Sequence, residues 1–123
     1  MKPLLVTTAI IELGAGLALL CVPSNAALLL FGASLEGPAA VTVARLGGLG
    51  LLTLGVVCWL ARDEASAAAG GVVKAMVIYN AGAAGLFAYA GGALGLHGAL
   101  LWPAAGLHAA LTAGCLLRLA AKG

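Results

Sequence analysis

Four apolar stretches, each about as long as a helix must be to cross the hydrocarbon core of a bilayer, leave this chain few ways to fold. The clearest is Thr42 to Arg62, TVARLGGLGLLTLGVVCWLAR, which ends a predicted span over residues 39–61 and carries one arginine, Arg45, inside it. The other three predicted spans are 4–22, 66–90 and 98–119. A water-soluble fold of 123 residues would have to coat itself in polar side chains, and a chain that is 63% hydrophobic and 8% charged cannot do so. The expected fold is therefore all-α, a single transmembrane domain (1–123) built as an integral membrane four-helix bundle, with no room for a soluble catalytic domain.

Charge excludes one partner and reports topology. The six Lys and Arg residues are scattered, so they form no phosphate-binding cluster and no nucleic-acid partner is expected. Lys2, Arg62, Arg118 and Lys122 fall on one side of the four-span layout, and the two loops on the other side hold neither Lys nor Arg. The positive-inside rule then puts both termini in the cytoplasm, with the protein in the inner membrane. Lys2-Pro3 before an apolar run resembles a signal-peptide start, but Glu12 interrupts the run, which is expected to be retained as the first span.

Between the first two spans, Pro23 stops or kinks the first helix and Ser24 is a suitable N-cap for a short apolar segment ending at Gly32. At ~10 Å long it cannot cross a membrane and reads as an interfacial or re-entrant turn, the alternative being a kinked extension of the first helix. Pro38 suits the first turn of the second span, Ser66 caps the third, and Gly91 to Gly95 make a turn before the fourth. Trp59 is expected as an aromatic anchor at the headgroup level. Small residues four apart predict close helix packing: Ala44 with Gly48, and Gly106, Ala110 and Gly114 in series.

Polar residues inside spans cost enough that each needs a reason. From the span ends, Glu12 lies ~12 Å and Lys74 ~12 Å in from the cytoplasmic side, Arg45 ~9 Å, Asn80 ~15 Å and His108 ~15 Å in from the outer side. Two readings follow. In one, Glu12, Arg45, Asn80 and His108 form an intramembrane polar pocket that takes a small headgroup, an ion or a proton. In the other, Glu12 and Arg45 are a neutralising structural pair, with Asn80 and His108 joining helices by hydrogen bonds. Lys74 either reaches Glu12 or snorkels to the interface.

Cys21, Cys58 and Cys115 have no metal-ligand spacing and read as small packing residues, and no phosphate loop or nucleophile elbow is present, so neither a metal nor a cofactor is expected. His97, His108 and Cys115 recur along one stripe, which does not supply haem ligands facing each other across a gap.

The layout of an acid in the first span, a proline-containing apolar loop and ARLGGLGLLTLG opening the second span resembles the small bacterial tetraspan proteins of the DoxX-like type. That resemblance implies four spans more than any activity. Glu12 also matches, in position and type, the first-helix glutamate of the small multidrug resistance transporters, although the later spans do not match and the internal Arg45 and His108 depart from that pattern. The leading expectation is a non-enzymatic protein that packs through Gly/Ala faces as a homo-oligomer or beside a membrane-protein partner, in contact with lipid, with a pocket for a small-molecule ligand. The alternative is a proton- or ion-coupled small-molecule transporter using Glu12, and a third is a membrane enzyme using Glu12 and His108.

Overall fold

The computed structural model describes residues 1–63 and 65–121. Glu64, the last of the Arg62-Asp63-Glu64 run, and Lys122, one of the four cations in the charge asymmetry, lie outside the described residues. The described chain is helical, with the order α1 (Lys2–Cys21), α2 (Pro23–Phe31), α3 (Gly37–Ala61), α4 (Ala67–Gly92) and α5 (Leu101–Ala120).

The helix ends follow local chemistry. Val22 leaves the helical region at φ −133°, as a residue before proline tends to, and Pro23 then opens α2 at a position where its missing N–H costs nothing. The short segment is thus a separate helix that starts at Pro23, and its N-cap is Val22 instead of Ser24. It ends at Gly32, whose φ of 73° is the left-handed C-cap conformation that glycine adopts most easily. Pro38 sits in the first turn of α3, and the Ser66 hydroxyl accepts the Ala69 N–H at 3.3 Å to cap α4. The fourth long helix begins at Leu101, three residues later than expected, because residues 97–100 are occupied with α2. His97 N–H donates to Phe31 O (3.2 Å) and Leu100 N–H to Leu29 O (2.9 Å), which satisfies carbonyls that the last turn of α2 would otherwise leave bare.

The long helices form two antiparallel pairs, α1 with α3 and α4 with α5. In the first pair the backbones touch. A β-carbon on Gly16 would lie 2.8 Å from Gly48 O, and one on Gly48 would lie 2.8 Å from Gly16 O, so neither position has room for a side chain. Gly55 lies against Leu13 in the same way. In the second pair Trp102 and Leu101 cover Gly91. The two pairs share one core, made of Leu5 and Ala9 from α1, Cys58 and Ala61 from α3, Ala69, Val73 and Met76 from α4, and Cys115 from α5.

That core lies toward the end where α1 starts and α3 finishes. There Lys2 Nζ bonds Asp63 Oδ1 at 2.7 Å, and the Arg62 guanidinium sits 4.1 Å from the centre of the Trp59 ring. The hydrogen bond from Lys2, helped by the charges of Lys2 and Arg62, holds the Asp63 carboxyl below its usual range. Arg118, near the end of α5, belongs to the same end of the molecule because α5 runs antiparallel to α4.

Among the described residues three helices, α1, α3 and α4, are long and apolar enough to cross a membrane. The twenty-residue α5 carries Trp102, Pro103, His108 and Arg118 and is not among them. Ile10, Val43, Leu46, Ile78, Leu86 and Leu117 are 61% to 77% exposed and face outward on every helix except α2. Water would penalise such a surface, whereas lipid tails are as apolar as the side chains themselves. Helix association then depends on close packing and polar contacts, and the glycine crossing of α1 with α3 supplies the first.

Candidate functional site

Away from the shared core the two pairs part, and a cavity of about 450 Å³ lies between them. Its walls come from all four long helices, through residues such as Ala15 and Leu19 of α1, Leu51 of α3, Phe87 of α4 and Ala104 of α5. Ala27 and Leu30 of α2, with Leu35 beyond it, form another part of the wall. The hydrogen bonds from residues 97 and 100 therefore hold in place a helix that borders the cavity. The lining is overwhelmingly apolar, and Glu12, Tyr79 and His108 are its polar members.

These three are positioned by a small network. Glu12 is 1% exposed, and its Oε2 accepts a hydrogen bond from the Tyr79 hydroxyl at 3.2 Å. Its Oε1 is buried and has no hydrogen-bond partner among the described residues. Asn80, fully buried, donates its amide N–H to Met76 O at 2.8 Å, which turns its Oδ1 toward His108 Nδ1 at 2.7 Å. Because that oxygen can only accept, Nδ1 of His108 carries the proton of this hydrogen bond, and in a neutral ring Nε2 is then left as an acceptor. The imidazole is further fixed by Tyr79, edge-on at 5.7 Å between ring centres, and by Phe87 at 5.6 Å. One wall thus presents a carboxyl, a phenol and an imidazole, groups able to bind a polar head and to pass protons.

Of the four residues expected to share a pocket, the structure brings three together. Glu12 and His108 line the cavity, and Asn80 stands behind His108. Arg45 does not join them. It is exposed, makes no ion pair with any described residue, and borders a separate shallow recess with Val22, Pro23, Ser24, Asn25 and Val41. The reason is register: with Gly16 against Gly48, Glu12 stands level with Leu52, so Arg45 lies ~10 Å further along α3. The charge pair of Glu12 with Arg45 is therefore corrected to a hydrogen bond with Tyr79. Lys74 is exposed and does not reach Glu12 either.

The packing residues divide similarly. Gly48 is buried at the crossing with Gly16, while Ala44, one turn away, is half-buried and lines the cavity. Gly106 and Ala110 are exposed; a β-carbon on Gly106 would meet nothing within 4 Å among the described residues, and one on Gly114 would meet the Leu4 side chain at 3.2 Å. The Gly106, Ala110 and Gly114 stripe, expected to pack closely, thus faces outward over most of its length. His97 is exposed in the connection before α5, and Cys58 and Cys115 are buried in the shared core as free thiols.

Tyr79 and Phe87 are the site residues that sequence reasoning missed. The signal for Tyr79 was its place beside Asn80, at a depth where a buried acid needs a donor. No family model, no curated protein and no solved structure matches this chain.

Proposed function

We propose that this is a small, non-enzymatic integral membrane protein that binds an apolar small molecule in the cavity between its two helix pairs. The observation that carries this reading is the cavity itself: about 450 Å³ of apolar space, ending on a buried carboxyl and an oriented imidazole, within the size range of ligand pockets. In this reading α5 crosses the bilayer alongside α4, giving four spans. The end bearing Lys2, Arg62 and Arg118 faces the cytoplasm by the positive-inside rule, so the chain sits N-in and C-in in an inner membrane. The DoxX-like resemblance enters as layout only, and the outward Gly106 and Ala110 suit contact with a second copy or a partner helix.

One observation favours a second reading, a proton- or ion-coupled transporter using Glu12. A carboxylate held by a cation makes a poor coupling group, and Glu12 has no such cation among the described residues. This reading differs in requiring the cavity to open in turn to each side of the membrane.

The binding reading is tested with 1-aminoanthracene, an apolar fluorophore of suitable size, titrated into the protein in lipid nanodiscs. Saturable one-site binding above that of empty nanodiscs is expected, with loss of at least about tenfold in affinity in Ala104→Phe and Ala15→Phe, each of which puts a ring into the cavity. Equal binding by the wild type and both variants overturns the reading.

A further inference from the structure

We infer that the cavity selects a neutral, hydroxyl-headed amphiphile, its O–H on Glu12 Oε1 and its apolar body along α1 and α2. The inference rests on the binding reading above and names the ligand class. Three features of the wall converge on it.

First, Glu12 Oε1 is a buried polar atom without a partner among the described residues, on a side chain 1% exposed that forms part of the cavity wall. Such an atom forgoes what it had in water, so a ligand that supplies its hydrogen bond gains more than an ordinary contact would. The terminal torsion of a glutamate is broad, so a small rotation turns this oxygen to a bound head without moving the helix. Second, His108 lines the same wall, and with Nδ1 committed to Asn80 its neutral ring offers Nε2 only as an acceptor. The polar end therefore favours a head that donates, to Nε2 and to Oε1 where that oxygen carries no proton. A hydroxyl both donates and accepts, and it pairs with Oε1 whether or not that oxygen carries a proton. Methyl ethers and quaternary ammonium groups have no donor to offer.

Third, every lining residue beyond Glu12, Tyr79 and His108 is apolar, so the rest of the ligand must be hydrocarbon. A primary ammonium head could donate, but it would have to shed its hydration among these side chains, at a cost that one hydrogen-bonded carboxyl repays only with excellent geometry. The volume corresponds to about 15 water-sized groups, which suits a chain or ring system of about a dozen carbons.

The test uses a diazirine-bearing twelve-carbon alcohol, photolysed with the wild-type protein in nanodiscs and mapped by mass spectrometry. The competitors are 1-dodecanol, 1-methoxyundecane and dodecylamine, which match in non-hydrogen atoms. Labelling is expected at cavity residues such as Ala15 and Ala104. Dodecanol is expected to suppress it at a membrane fraction at least about fivefold lower than the ether needs, the effect of one hydrogen bond to a buried acceptor. In Glu12→Leu the preference should fall to within about twofold while labelling persists. If that variant does not fold, the alcohol-to-ether ratio in the wild type decides alone. Equal competition by alcohol and ether, with labelling still confined to the cavity, overturns the headgroup inference and leaves the binding reading standing. Dodecylamine outcompeting dodecanol overturns the neutral head. Labelling spread over outward-facing positions and indifferent to all three competitors overturns the binding reading itself.

Discussion

Alanine at Gly16 or at Gly48 is expected to destabilise the protein by about 1–3 kcal/mol each, the usual cost of forcing extra atoms into a packed contact. Each new β-carbon would meet backbone at 2.8 Å, and backbone cannot step aside as the tip of a side chain can, so α1 and α3 would have to separate. Once one alanine has opened the crossing, the second enters a gap that already exists. The double variant should therefore cost clearly less than the sum of the singles. Gly47→Ala and Gly50→Ala on the same helix are the controls, since a β-carbon there meets nothing within 4 Å. They should be neutral or stabilising by up to about 1 kcal/mol, the helix-propensity gain of alanine over glycine. Reversible unfolding in mixed micelles, followed by circular dichroism, gives all five values. Equal losses at Gly47 and Gly48 would show that α3 packs on a different face.

Gly98→Ala is expected to have the other large effect, and to carry it into the cavity. A β-carbon on Gly98 would overlap the Leu29 and Leu30 carbonyl groups, all of it backbone. Relief requires α2 to move away from residues 97–100, which breaks the hydrogen bonds from His97 to Phe31 and from Leu100 to Leu29. Two lost backbone hydrogen bonds and the overpacking together come to about 2–6 kcal/mol. Because α2 borders the cavity, 1-aminoanthracene binding should weaken in the same variant. Hydrogen exchange at the amides of residues 97 and 100 should rise by at least about tenfold, reporting the local opening directly. Unchanged exchange at those two amides would mean that α2 is not held from this side.

Much of the architecture was legible in the residues because each signal is local. The apolar runs placed the long helices within about three residues, Pro38 and Ser66 marked helix starts, and Pro23 marked the end of the first helix, through their own backbone and side-chain chemistry. The site was harder because it depends on how helices face one another. A depth counted along a helix gives height and no direction, so Glu12 and Arg45 looked like partners until the Gly16–Gly48 crossing fixed the register between α1 and α3. The same limit applies to Gly106, Ala110 and Gly114. Four-residue spacing marks one face of a helix without saying which neighbour that face meets, and the buried face of α5 is Leu101, Ala105, His108, Leu111 and Cys115. The cavity had no local signal at all. It arises because the two pairs meet at the core around Met76 and Cys115 and diverge beyond it, and divergence belongs to the assembly and to no single stretch.

Whether the cavity holds a small molecule in the membrane is decided by native mass spectrometry of the protein ejected from the membranes in which it was made, comparing the wild type with Ala104→Phe. A one-to-one small-molecule adduct is expected on the wild type and not on the variant; adducts of equal occupancy on both proteins, or on neither, would show that the cavity holds none.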